Sequence, residues 1–216
     1  MILDVWSDIA CPWCFIGKRR LMRALGDRVD VSVRWRAFEL DPEMPPSGRD
    51  RRFYVSKFGS TDRMQDMFDR MTALGVDDGI RFDFDRIRAP STRLAHRAIA
   101  IARHMWPGVA EPMLEAAFKG HFEEGVDVSD AGTLMALFDA HKVPVETRDL
   151  AVRLRRGEGL ESVLADEQLA QEIGVQGVPF FVADMRFGMS GAQPVPVFER
   201  FIAEALAPEA TVSASS

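Results

Sequence analysis

Ile2-Leu3-Asp4-Val5-Trp6-Ser7-Asp8-Ile9-Ala10-Cys11-Pro12-Trp13-Cys14-Phe15-Ile16-Gly17 is the stretch around which the rest of the chain is organised. It reads as a short apolar strand over residues 2–6, a tight polar turn over 7–10, and a helix that opens on a C-x-x-C. Cys11 and Cys14 are the only two cysteines in the sequence. At a helix N-terminus, Cys11 meets unpaired backbone N–H groups and the positive end of the helix dipole, and both favour a thiolate. Cys14 follows one turn later on the same side, close enough for a small disulfide. Pro12 suits the first helical position, where its missing N–H costs nothing.

The composition sets bounds on this chemistry. A chain of 216 residues, 47% hydrophobic and 28% charged, is an ordinary globule with a sizeable core. Its net charge of −6 argues against nucleic acid as a partner, because nothing would offset phosphate repulsion. No basic leader with a small-residue cleavage site opens the sequence, and no run approaches the ~20 apolar residues of a membrane span. A cytoplasmic location is the expectation. Thiols are kept reduced there, so a lone C-x-x-C points to catalysis or metal binding sooner than to a structural staple.

Beyond the first helix, expected over residues 12–25 with Gly26 as its cap, residues 29–36 alternate apolar and polar as a second strand. Pro42, Pro45, Pro46 and Gly48 then mark a loop, and helical spacing dominates from about residue 51 to 173. Met64, Met67, Phe68 and Met71 share one face behind an Asp62-x-x-Gln65 capping box and ahead of Gly75. Further helices follow Ser91-Thr92, around residues 110–118 and 134–138, and over 147–156 and 160–173. Residues 80–84 alternate like a strand but fit an extended linker better. Strand signals return at residues 178–182, with 185–190 as a hairpin partner, before a last helix that buries Phe198, Phe201, Ile202 and Ala205. The pattern is an α/β sheet domain built from both chain ends, residues 1–42 and 174–206. An all-helical domain, residues 43–173, is inserted between the second and third strands, and 207–216 form a disordered tail.

Several separated blocks carry a resemblance: SDIACPWCFIG, RWRAFELDP, APSTRLAHR, FKGHFEEGVDVSD, EIGVQGVPFFV and SGAQP, in that order. Over residues 2–206 the chain resembles DsbA-type thioredoxin-like oxidoreductases of the FrnE-like branch. That superfamily includes kappa-class glutathione transferases and hydroxychromene carboxylate isomerases, which carry serine where Cys11 stands. The resemblance implies a thioredoxin-like fold with a helical insertion, and a cis Val178–Pro179 bond packed against the cysteine pair. Phe15 replaces a common Tyr and Ser91 a common Asn. No cysteine in the C-terminal tail could relay electrons.

These residues point to thiol–disulfide exchange, with Cys11 attacking and Cys14 resolving. Pro12 and the uncharged Trp13 tune the pair, Trp13 as an apolar lip, and Val178 and Pro179 present backbone to the substrate. Partners would be protein thiols or disulfides, or glutathione, with no cofactor beyond glutathione as co-substrate. Zinc needs more ligands than two cysteines, and His96, His104, His121 and His141 form no close pair at ligand spacing, so no metal is expected. The methionines suit a core better than a soft binding stripe. Lys18, Arg19, Arg20 and Arg23 suit a solvated helix face better than a site for glutathione carboxylates. Two other activities fit the same sequence. One is a glutathione-dependent isomerase or transferase acting on a small aromatic or polyketide-like substrate. The other is a non-catalytic binding or chaperone module.

Overall fold

The computed structural model describes residues 1–207; the tail expected to be disordered lies almost wholly outside the described residues. Four strands form one mixed sheet in the order β2-β1-β3-β4. Strand β1 (Ile2–Ser7) runs parallel to β2 (Ser32–Ala37) across the helix α1 (Pro12–Leu25), a βαβ unit. On its other edge β1 pairs antiparallel with β3 (Phe180–Ala183), which turns back into β4 (Phe187–Ser190). The seven helices α2 (Arg52–Phe58), α3 (Thr61–Val76), α4 (Arg93–Met105), α5 (Ala110–Phe122), α6 (Ala131–Ala140), α7 (Thr147–Arg155) and α8 (Leu160–Glu172) lie between β2 and β3 in sequence. Helix α9 (Val195–Leu206) closes the fold.

The alternation along β1 sorts its neighbours. Leu3 and Val5 are buried with Leu21 of α1 and Phe198 and Ile202 of α9. Trp6, on the opposite face, packs with Val182 and with Ala170 and Val175 in and after α8. Trp6 Nε1 also donates to the Asp166 carbonyl at 2.8 Å. Helix α8, part of the helical stretch in sequence, therefore covers the sheet.

Polar residues close this face. Arg34 forks onto Asp4 at 2.9 and 2.7 Å, and Arg36 bridges Asp4 and Asp166, both at 2.7 Å. Arg103 of α4 reaches Asp166 at 3.0 Å. Asp4 is 0% and Asp166 2% exposed, so each buried carboxylate is held by two guanidinium groups.

Four expectations are corrected. Strand β2 starts at Ser32, not at residue 29: β1 begins at Ile2, opposite Ser32, so residues 29–31 lie beyond its ladder, where the Asp30 carbonyl accepts from the Met1 ammonium at 2.9 Å and Val29 is 99% exposed. Helix α3 is capped by Ser60, whose side chain accepts from the Arg63 amide at 3.2 Å, not by the Asp62-x-x-Gln65 box. Ser60 has the extended backbone a cap needs, while Gln65 turns to Asp69 at 2.8 Å. Gly75 does not stop α3 but lies inside it, leaving room for the Phe82 ring. The basic stripe of α1 is not a solvated face. Lys18, 2% exposed, pairs with Glu111 and Glu115 of α5, Arg19 with Glu115, and Arg20 and Arg23 with the buried Asp78. Burial of α1 between sheet and insertion turns its charges into ties to the insertion.

Candidate active site

The cysteines sit where strand meets helix. Cys11 is the N-cap of α1, with extended backbone and Pro12 in the first turn. Both thiols are unbridged. Cys11 is 5% and Cys14 1% exposed, so neither stands open to solvent. Cys11 Sγ lies 3.6 Å from the Val178 carbonyl oxygen, and the Val178–Pro179 peptide is cis. Strand β3 starts at Phe180, two residues after the first strand signal at residue 178, so Val178 and Pro179 form the loop just ahead of it.

Gly17 makes this approach possible. A Cβ there would stand 3.0 Å from Pro179 Cγ and 3.5 Å from Phe181 Cζ, so a side chain would press on the proline and glycine lets α1 lie this close to it. The fold thus brings Cys11, Cys14, Val178 and Pro179 together across a sequence separation of 167 residues.

Cys11, Pro12 and Trp13 line a cleft of about 190 Å³ with Leu40, Tyr54, Met67, Met71, Phe84 and Phe122 among its walls. Among the described residues, Lys57 is the only charged one in its lining. Trp13 is 39% exposed at this cleft. The methionine stripe divides its duties, since Met64 and Met71 belong to the buried core while Met67 and Met71 also line the cleft. Behind the pair, Phe15 stacks on Phe118 at 5.0 Å, part of an aromatic series running through Phe122 and Phe82 to Phe84. A tyrosine hydroxyl at position 15 would enter this apolar stack, which Phe15 fills at 0% exposure.

Two polar residues beside the thiols were not paired by the sequence reading. Asp8, 1% exposed, donates its amide to Cys14 Sγ at 3.5 Å. Its carboxylate accepts from the Leu40 and Ala10 amides at 2.7 and 3.2 Å and faces His96 Nε2 of α4 at 3.4 Å. Burial alone would raise the Asp8 carboxyl. The His96 hydrogen bond and charge, the Leu40 amide and the Thr92 hydroxyl outweigh it and hold it below its ordinary value. Burial pushes the Cys14 thiol well up, and the hydrogen bond and charge of Cys11 push it further; the Asp8 amide and Ser7 hydroxyl oppose them. The only sequence signal for the Asp8–His96 pair is that each is a charged type in an apolar setting, which does not say that the two meet.

Among the described residues no group of three or more His, Cys, Asp or Glu side chains is arranged to hold a metal, and no helix is long and apolar enough to cross a membrane.

The profile of the DSBA-like thioredoxin domain family matches residues 2–203. The chain belongs to that family. A probable DsbA oxidoreductase from Streptomyces coelicolor, known as a crystal structure, is 31% identical; the match covers 100% of this chain and 95% of that one, with a TM-score of 0.86. The Bacillus subtilis protein YwbO is 24% identical over 94% of this chain and 96% of its own. The cytosolic disulfide reductase DsbM of Pseudomonas aeruginosa, solved with GSH, shares the fold. It has a TM-score of 0.66 at 19% identity, over 95% of this chain and 99% of that one. The DSBA-like chain described here therefore has the thioredoxin-like α/β architecture expected from its sequence, with a mixed four-stranded sheet and helices inserted after its second strand.

Proposed function

We propose that the protein is a thiol–disulfide oxidoreductase of the FrnE-like branch, acting in the cytosol on protein or small-thiol disulfides. The observation that carries this reading is a reduced Cys11–Cys14 pair at a helix N-terminus, with Cys11 Sγ 3.6 Å from the Val178 carbonyl at the end of an apolar cleft. Cys11 attacks a substrate disulfide and forms a mixed disulfide. Cys14 then attacks Cys11 Sγ, closing the enzyme's own disulfide and releasing the second substrate thiol. Pro12 starts the helix and Trp13 supplies an apolar wall. Val178 and Pro179 offer backbone to an extended substrate segment. No metal or organic cofactor takes part; glutathione serves as a co-substrate that restores the thiols.

The cleft supports a peptide or a small thiol as substrate. At about 190 Å³ it is smaller than the ~300–1,000 Å³ of drug-sized ligand sites, so it suits one apolar side chain beside the reacting cysteine. A glutathione-dependent transferase would have no use for Cys14, because the thiol it activates belongs to glutathione.

Cys14→Ser separates these readings. Turnover of a disulfide substrate should fall by about 10²-fold or more, because an external thiol replaces an intramolecular one, and a Cys11 mixed disulfide should accumulate by mass spectrometry. Undiminished turnover in this variant, with no trapped adduct, would instead assign the chain to glutathione-dependent chemistry.

A further inference from the structure

Closing the disulfide requires Cys14 to react as a thiolate, yet Cys14 is 1% exposed and its burial opposes ionisation. A proton acceptor must lie in the same buried space. Asp4 is engaged by Arg34 and Arg36, Asp166 by Arg36 and Arg103, and Glu39 by Arg93 at 2.8 Å. Among the buried carboxylates Asp8 is the one that touches the thiol pair, with its amide on Cys14 Sγ and its carboxylate 3.4 Å from His96 Nε2.

Ser7 completes the arrangement. Its hydroxyl is buried without a hydrogen-bond partner while Cys14 is a thiol, and it favours the Cys14 thiolate once that forms. Ser7 and His96 face one cavity of about 10 Å³, the room of a single water.

We propose that Asp8 and His96 act as a proton-accepting pair for Cys14, reached through the water-sized cavity that Ser7 and His96 both line. This inference rests on the dithiol reading above. In the resolving step the Cys14 S–H bond breaks and its proton passes to His96 through the cavity that Ser7 and His96 line, where the Asp8 carboxylate balances the new charge. The Cys14 sulfur attacks Cys11 Sγ, and the Cys11–Cys14 bond forms as the bond from Cys11 to the substrate sulfur breaks. That sulfur leaves with the electron pair and takes up the proton. The enzyme's two thiols are oxidised and one substrate disulfide is reduced to two thiols. The same path runs backward when the enzyme oxidises a substrate.

Because His96 belongs to α4, the helical insertion contributes chemistry to a site otherwise built from the sheet domain. The charges around the pair are accounted for. Across the cavity His96 faces Arg36, Arg103 and Asp166, and Glu39 lies within electrostatic reach of it. Tyr54 and His121 feel the charge of Asp8.

The test uses 5,5′-dithiobis(2-nitrobenzoate) as the disulfide, because each thiol it releases absorbs light. Reduced wild-type protein should release two equivalents in two phases, the first reporting attack by Cys11 and the second attack by Cys14. In His96→Gln the first phase should be unchanged. The second should slow by about 10²-fold near neutral pH, the scale at which a positioned proton acceptor contributes, and recover as the pH rises and hydroxide takes over. A second phase equal to wild type at every pH overturns the proposal. So does one slowed by the same factor throughout, which would be a packing effect. If His96→Gln does not fold, side-chain NMR of His96 in reduced wild type decides. Its ring must titrate over the pH range in which the second phase accelerates, and a ring in one protonation state across that range overturns the proposal. A wild-type protein that releases a single equivalent refutes the dithiol reading itself, a distinct result.

Discussion

His121 shows what one buried titratable residue does to the whole protein. It is 1% exposed, its Nε2 has no hydrogen-bond partner, and it lies edge-on to Phe122 at 4.4 Å. Burial lowers it from 6.5 to about 4, against weaker opposing pulls from Asp8 and Asp127. The unfolded chain therefore takes up this proton near pH 6.5 while the folded chain stays neutral until about pH 4. Between those values the unfolded state binds more protons, so stability is complete above the window and falls as the pH drops through it. The loss is on the order of 3 kcal/mol for a shift of this size. Urea denaturation at pH 7 and pH 5 spans the upper part of this window and should show about 2 kcal/mol of it. His121→Gln should flatten the difference between the two midpoints, and an unchanged slope would refute this account. Asp8 adds to acid sensitivity lower down. Held below its ordinary 3.8, it contributes stability above that value that is lost as the pH falls through its folded value.

At the level of elements, glycines decide how closely helices and loops meet. Within α3, Gly75 faces the segment that follows the helix: a Cβ would stand 2.7 Å from two Phe82 ring atoms and 3.1 Å from the Ile80 carbonyl. In an exposed helix Gly→Ala gains about 1 kcal/mol. Here the added methyl meets a ring already packed on Phe84 at 5.0 Å and on Phe122 at 5.3 Å. Gly75→Ala should therefore destabilise the protein by about 1–3 kcal/mol, the usual cost of overfilling a core. A raised urea midpoint would show that the ring yields freely. The sequence pattern placed Gly75 at a helix end because glycine so often occupies that position; the contact with Phe82, which explains it, depends on the chain folding back from residue 80. The basic residues of α1 were misread for a related reason. Helical spacing showed that they share a face, but the carboxylates they meet lie 93 residues away for Lys18–Glu111 and 58 for Arg20–Asp78.

Across the whole molecule, sheet and insertion share one hydrophobic core. Leu3, Val5 and Phe181 of the sheet belong to the same buried cluster as Phe68, Phe118 and Phe138 of the inserted helices. Asp166 adds a polar tie among β2, α4 and α8, through Arg36, Arg103 and the Ala37 amide at 3.1 Å. Such a molecule should unfold in one step, with calorimetric and van't Hoff enthalpies equal. Asp166→Ala leaves two guanidinium groups without this partner. Each is 18% exposed, so solvent recovers part of the loss, and the cost should lie near the lower end of the ~3–5 kcal/mol for a broken buried pair. The transition should move to lower temperature without splitting. Two resolved transitions in the calorimeter would mean that sheet and insertion are separate cooperative units.

Local chemistry and periodicity determined a good deal of this protein. The C-x-x-C at a helix start, Pro12 in the first turn, the alternation of β1 and the helical spacing of the insertion are properties of neighbours within a few residues, and α1 appears at residues 12–25 as read. The mixed sheet built from both chain ends was likewise legible from where strand signals occur. Tertiary structure alone decided what meets what. It trimmed β2 to the residues that β1 can pair, closed an apolar cleft over Cys11, and brought His96 of the insertion against Asp8. The physical reason is that burial and hydrogen bonding between distant segments depend on how elements pack, and no periodicity in one segment records the identity of its partner in another.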